Sequence, residues 1–202
     1  NLGHFYGNGI GVQQSDTEAF KYYKLAADHG HAHSQYKLGV MHAPGRGVDQ
    51  SDAEAFKYYK LAADQGHEYA QYNIGFLYEY GIGVDPSDAE AFKYYKLAAD
   101  HGHAHSQYKL GDMHEDGRGI QHDDAEAAKY YRLAADQGHE DAQYSLAVMY
   151  QKGKGIGQSD AEAAKYYRLA ADQGHEDAQY SLAVMYQKGK GIGQSDAEAA
   201  KY

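Results

Sequence analysis

Residues 124–195 are one 36-residue string, DAEAAKYYRLAADQGHEDAQYSLAVMYQKGKGIGQS, written twice without a change. The phrase KYY extends the same interval through the chain, starting at Lys21, Lys57, Lys93, Lys129, Lys165 and Lys201. A fixed period of this length is the mark of stacked supersecondary units, not of a closed globule. It divides the chain into repeats at 16–51, 52–87, 88–123, 124–159 and 160–195. Partial repeats lie at 1–15 (a helix B and its loop) and 196–202 (the start of a helix A).

Each repeat reads as two helices. Helix A opens on a capping box, Ser51 with Glu54 three residues on, and Asp52 suits the positive end of the helix dipole. The pair recurs as Ser15/Glu18, Ser87/Glu90, Ser159/Glu162 and Ser195/Glu198, with Asp123/Glu126 as a chemical equivalent. Helix A runs through AEAFKYYKLAAD to Gly66, and helix B follows at once, from Glu68 to Tyr78, and stops at Gly81. Its small residues Ala70 and Gly75 admit a close neighbour, and Val84 in the following loop is expected under the hairpin. Ala55, Phe56, Tyr58, Tyr59, Leu61, Ala62 and Ala63 make helix A apolar over more than one stripe, so it must touch its hairpin partner and a neighbouring repeat. Helices of about 13 residues are marginal alone, and stacking is what buries these faces.

The phrase set resembles the Sel1-like repeat, a relative of the tetratricopeptide repeat. In 52–87 the matching residues are Ala55, Tyr58, Tyr59, Ala62, Ala63, Gly66, Ala70, Leu77, Tyr78, Gly81, Gly83 and Val84. Departures are Ser34 and Ser106 for the helix-B alanine, His42 and His114 for tyrosine, and Ala147 and Ala183 for glycine. The resemblance implies an all-α, right-handed α-solenoid of antiparallel two-helix hairpins that serves as an adaptor for protein complexes. Secreted, cysteine-rich relatives are linked to β-lactam binding or hydrolysis. This chain has no cysteine, so that enzymatic role is not carried over.

The lack of cysteine also removes disulfides and Cys-based zinc sites, and it is compatible with the cytoplasm and with a cell surface. Net charge is −10 with no basic stripe, which argues against nucleic acid, and no apolar run is long enough to insert in a membrane. Nothing resembles a nucleophile elbow, a phosphate loop or a catalytic triad. The G-x-G turns at 45–47, 81–83, 117–119 and 153–155 follow helices, not strands. No enzyme activity and no cofactor are expected.

Three sets of residues carry candidate chemistry. Among 13 histidines, HGHAH at 29–33 and 101–105 places alternating rings that suit zinc or copper. The reading preferred here is structural: His31, His67, His103, His139 and His175 each sit at the cap of a helix B. Equivalent positions in neighbouring repeats stand roughly 8–10 Å apart, whereas zinc needs each ring nitrogen at about 2 Å. A metal therefore remains an option only within one repeat, through His31 and His33, and no metal site is assigned. The second set is Asp112, His114, Glu115 and Asp116, acidic at a helix end where the dipole disfavours acid; it reads first as a solvated face, and functionally as a docking point for a basic partner or a weakly held calcium. The third is the repeating surface. The column Val40, Phe76, Asp112, Val148, Val184 accepts an aspartate, which predicts exposure, with Phe76 as a surface aromatic. Tyr58 and Tyr94, one turn before Leu61 and Leu97, are amphipathic anchors of the kind interfaces favour, or else fillers of the inter-repeat core.

The candidate partner-binding residues are thus Tyr58, Leu61, Phe76, Tyr94, Leu97, Asp112, His114, Glu115 and Asp116. The leading function is a noncatalytic scaffold that binds a protein or peptide. One alternative is end-to-end self-association into a filament, because a repeat array with apolar ends has no closing symmetry. A further alternative is a His-rich metal-binding or enzymatic protein.

Overall fold

A computed structural model describes residues 2–202. Among them all regular structure is helical, in twelve helices. The chain divides into two compact units, one ending at His101 and one beginning at Gly102. The first holds α1 (Leu2–Asn8), α2 (Asp16–Asp28), α3 (Ala32–His42), α4 (Asp52–Ala63), α5 (Glu68–Tyr80) and α6 (Asp88–Asp100). The second holds α7 (Ala104–Asp116), α8 (Asp124–Asp136), α9 (Glu140–Lys152), α10 (Asp160–Asp172), α11 (Glu176–Lys188) and α12 (Asp196–Ala199). Within each unit every helix packs on the next, and α3, α5 and α9 touch the following helix A more extensively than their own hairpin partner. No helix among the described residues is long and apolar enough to cross a membrane.

The helix-A caps form as expected in one direction only. Ser51 Oγ accepts the Glu54 amide at 3.3 Å, and the equivalent bond recurs at each serine-capped helix A. The return arm of the box is absent. Glu54 turns instead to Lys57, at 3.1 Å, and the Ser51 amide donates to the His42 carbonyl of the preceding helix B. The cap thus joins consecutive repeats.

Leu38 and Ile74 in the first unit, and Leu110, Leu146 and Leu182 in the second, are completely buried at the middle of each helix B. One turn of helix B lies directly under a tyrosine ring of the next helix A. A Cβ on Gly75 would come within 2.7 Å of the Tyr95 ring, and Gly39 and Gly111 are as tightly covered by Tyr59 and Tyr131; the equivalent Ala147 and Ala183 show that the last repeats make room for a methyl group there. Val84 packs partly buried against the core of the first unit, and Ile156 and Ile192 do the same in the second.

The expected tyrosine anchors belong to this core. Tyr58 and Tyr94 are 7% and 4% exposed and stack on His42 and Tyr78 of the preceding helix B, with ring centroids 5.5 and 5.9 Å apart. Of the two readings open from sequence, the inter-repeat filler is the one the packing realises. His42 stands in for tyrosine in this stack, and His114 against Tyr130 repeats the arrangement in the second unit. The column containing Phe76 also departs from expectation. Val40, Phe76, Asp112, Val148 and Val184 are all half-buried, and Phe76 packs against the first unit's core and the Tyr80 ring at 4.5 Å.

Candidate interaction surface

Once the tyrosines are buried, the exposed large apolar residues of helix A are its leucines. Leu25, Leu61 and Leu97 of the first unit are 55%, 43% and 40% exposed; Leu133 and Leu169 of the second are 43% and 42% exposed. Each lies just before an Ala-Ala pair that is buried in full, or at Ala26-Ala27 in its second member, so the side that packs inward is fixed and the leucine is left on the outer edge. Scattered exposed leucines are ordinary, but one in every full repeat at the same register builds an apolar strip in each unit. A glutamine one turn on borders the strip: Gln65 donates to the Leu61 carbonyl at 3.2 Å and to Gln35 Oε1 at 2.6 Å, and Gln137 and Gln173 repeat both bonds in the second unit.

The acidic set predicted at 112–116 is dispersed. Asp116 is exposed and lies 3.5 Å from Arg118. His114 is buried in its stack with Tyr130, and burial pushes its pKa down. Asp112 and Glu115 converge on one hydroxyl: Tyr131 Oη lies 2.8 Å from Asp112 Oδ1 and 2.7 Å from Glu115 Oε2. A single hydroxyl proton serves one carboxylate, so the second bond needs a proton on the other acid. Burial raises the Asp112 pKa to about 6, against hydrogen bonds from Tyr131 that lower it, and makes Asp112 the proton carrier. Glu115 pairs with Lys154 at 3.0 Å, and the same ammonium reaches Asp124 at 3.2 Å. The group is an internal network of the second unit. Of its members only Asp116 offers an exposed charge.

The histidine caps are as expected from the chain. His31, His67, His103, His139 and His175 each accept, through the side chain, the amide three residues on. For His67 this bond runs to Nδ1 at 3.4 Å, so the neutral ring carries its proton on Nε2. That nitrogen lies 3.3 Å from His33 Nδ1 of the preceding repeat, and Tyr36 stacks on the ring at 4.5 Å. His33 is therefore paired across repeats, not with His31 inside its own, a neighbourhood that spacing within HGHAH does not reveal. In the second unit His175 Nε2 faces Asp141 Oδ1 at 3.6 Å, with Tyr144 on its ring at 4.6 Å. His33, Tyr36, Lys37, His67, Glu68 and Tyr69 line an open cleft of about 500 Å³. Among the described residues no three His, Asp or Glu side chains gather in a metal-holding arrangement.

A second proton on a capping imidazole removes its acceptor, so acid should uncap helix B. For His67 the groups in play are His33 and Lys37 on α3, Tyr36 above the ring, and Glu68 and Tyr69 on its own helix. Burial is the largest influence and lowers the pKa of both His67 and His139. A lowered folded-state pKa means that the cap's stability is present above the unfolded value and is lost as pH falls through the folded one. His139→Ala is expected to cost about 1 kcal/mol at pH 7.5, and His139→Asn, which keeps an acceptor without a titrating ring, far less. Urea midpoints at pH 7.5 and 5.0 check this: both variants, lacking the titrating ring, should lose less stability on acidification than the wild type, and only the alanine variant should start from a clearly lower midpoint at pH 7.5.

The Sel1 repeat pattern matches residues 1–31, 32–67, 68–103, 104–139, 140–175 and 176–202. These spans begin at helix B, whereas the KYY register begins at helix A; both phases describe one array. Among solved structures the chain is similar to a protective antigen of uropathogenic Escherichia coli strains that displays an SLR fold. Identity there is 36%, the TM-score is 0.95, and the match covers 98% of this chain and 42% of the antigen, so the chain spans about two-fifths of that protein. It is also similar to a Sel1 repeat protein of Oxalobacter formigenes, at 31% identity and a TM-score of 0.86, covering 99% and 80% of the two chains. Helicobacter pylori cysteine-rich protein B, at 24% identity and a TM-score of 0.51 over 64% of this chain and 92% of its own, shares the fold. No curated protein sequence matches significantly. With all six spans matched from end to end and the α-solenoid architecture in common, the chain belongs to the Sel1 repeat family.

Proposed function

We propose that this chain is a noncatalytic scaffold that binds a protein ligand through the leucine strip of its helix-A faces. Sel1 repeats typically mediate protein–protein interaction, and the family is generally a non-enzymatic scaffold. The observation that carries the reading is the recurrence of a leucine, 40% or more exposed, at one register of every full repeat. Covering the outer part of one such side chain contributes on the order of 1 kcal/mol. Three leucines in the first unit and two in the second therefore make one strip in each unit, whose affinity rests on simultaneous engagement of its members. Leu61 and Leu97 are retained from the sequence-derived candidates; Tyr58, Tyr94 and His114 are buried in ring stacks between repeats and are not available to a ligand.

Selection of peptide binders from a random display library on the immobilised chain tests this. Binders are expected to lose at least tenfold in affinity for Leu61→Asn/Leu97→Asn or for Leu133→Asn/Leu169→Asn. Undiminished binding to both double variants would place the ligand elsewhere and remove this reading.

A further inference from the structure

Leucine strips in the two units have the same apolar residue but different charged neighbours. In the first unit Lys24, Lys60 and Lys96 each precede the leucine and bond the aspartate four residues on, Asp28, Asp64 and Asp100. In the second unit arginine takes the lysine's place. Arg132 Nη2 donates to Tyr150 Oη and Arg168 Nη2 to Tyr186 Oη, both at 2.5 Å, with each guanidinium carbon 5.7 Å from the ring centroid. A planar guanidinium on a longer stem favours stacking on an aromatic ring, whereas a lysine ammonium acts as a point charge for the nearest carboxylate. The exposed Arg132 and Arg168 are thus engaged by tyrosine rings and hydroxyls in place of a carboxylate. Among the described residues Asp136 and Asp172 are consequently exposed without a cationic partner; Asp172 accepts from the Tyr202 hydroxyl at 3.5 Å. Each aspartate follows its leucine by three residues and so shares its helix face. One turn earlier, Lys129 and Lys165 are engaged by Glu126 and Glu162.

We infer that the Leu133/Leu169 face takes a basic amphipathic helix from a partner protein. Apolar side chains of that helix would cover the two leucines, and its lysines or arginines would meet Asp136 and Asp172. Neighbouring hairpins stand roughly 8–10 Å apart, close to the rise of about 10 Å over two turns of helix, so apolar residues at i and i+7 fit the strip. Unpaired carboxylates beside the leucines disfavour an anionic membrane surface and an acidic partner segment. This inference rests on the leucine strip of the proposed function and adds the charge of its ligand.

The test measures fluorescence anisotropy of three synthetic helical peptides with leucines at i and i+7, flanked by lysine, glutamine or glutamate, against the full-length chain. The lysine peptide is expected to bind at least tenfold more tightly than the glutamate peptide, and less tightly as salt is raised. Asp136→Lys/Asp172→Lys should weaken it at least fivefold. Arg132→Lys/Arg168→Lys, which restores the lysine–aspartate pairing of the first unit, should weaken it in the same direction. Equal binding of the three peptides, lost in Leu133→Asn/Leu169→Asn, would overturn the charge inference and leave the leucine scaffold standing. Binding that survives Leu133→Asn/Leu169→Asn would overturn this inference, and would overturn the leucine scaffold as well only if it also survived Leu61→Asn/Leu97→Asn; preference for anionic vesicles over the lysine peptide would overturn the choice of a protein ligand.

Discussion

Gly155→Ala is expected to lower the stability of the second unit by about 3 kcal/mol, the sum of left-handed backbone strain and a backbone clash. Gly155 sits at φ +66°, and a Cβ there would come within 2.1 Å of the Asp124 carbonyl oxygen. The other side of the contact is the first residue of α8, whose main chain is held by the cap at Asp123, so no flexible side chain can give way. The loop itself is tied down by the Lys154 amide, which donates to Met149 O at 3.0 Å, and by the Lys154 ammonium between Glu115 and Asp124. Gly157→Ala, two residues on, is the matched control. Its Cβ would meet nothing within 4 Å, and its φ lies outside the left-handed region. Urea unfolding followed by circular dichroism should show a change within about 0.5 kcal/mol for Gly157→Ala. Equal effects from the two substitutions would contradict the packing described for this loop.

Asp112→Val is expected to stabilise the second unit by about 2 kcal/mol at pH 7, and by much less at pH 4. The magnitude follows from a pKa displaced from 3.8 to about 6, discounted because the side chain is only half-buried. The folded state holds the Asp112 proton up to about pH 6, whereas the unfolded chain releases it near 3.8. Between those values the unfolded state ionises first, so the wild type loses stability as pH rises, and the loss is complete above pH 6. Valine occupies the equivalent position at Val40, Val148 and Val184 and removes the titration. Tyr131 keeps Glu115 as acceptor, so no buried hydroxyl is orphaned. Denaturation curves at pH 4 and pH 7 decide it: a stability difference between variant and wild type that does not change with pH would show that folding does not displace the Asp112 pKa.

These two substitutions fall at positions where the chain alone is informative to different degrees. Glycine at 155 in a G-x-G loop reads as a turn, and its conformation is local. Asp112 among valines and phenylalanine reads as evidence of exposure, and the inference fails. An aspartate can sit in a half-buried column if its proton is retained and a tyrosine hydroxyl from the next helix A meets it. Phe76 was misjudged by the same logic, because one polar member says little about the packing of the others. The leucines were recognised at 61 and 97, but their prominence emerged only when Tyr58 and Tyr94 proved to fill the space between repeats. No feature of helix A alone says which of two apolar residues, one turn apart, faces the neighbour.

Helix boundaries, histidine caps and terminating glycines all follow from interactions within about four residues of chain, so the amino-acid order by itself determined them. The choice between Asp and Tyr as partner of a lysine or arginine, the pairing of His33 with His67 and the proton shared around Tyr131 link residues 16 to 34 positions apart or depend on which contact competes. Tertiary packing alone decided those. A repeat specifies its own hairpin through local backbone bonds, but the environment of its outward side chains is supplied by the next repeat.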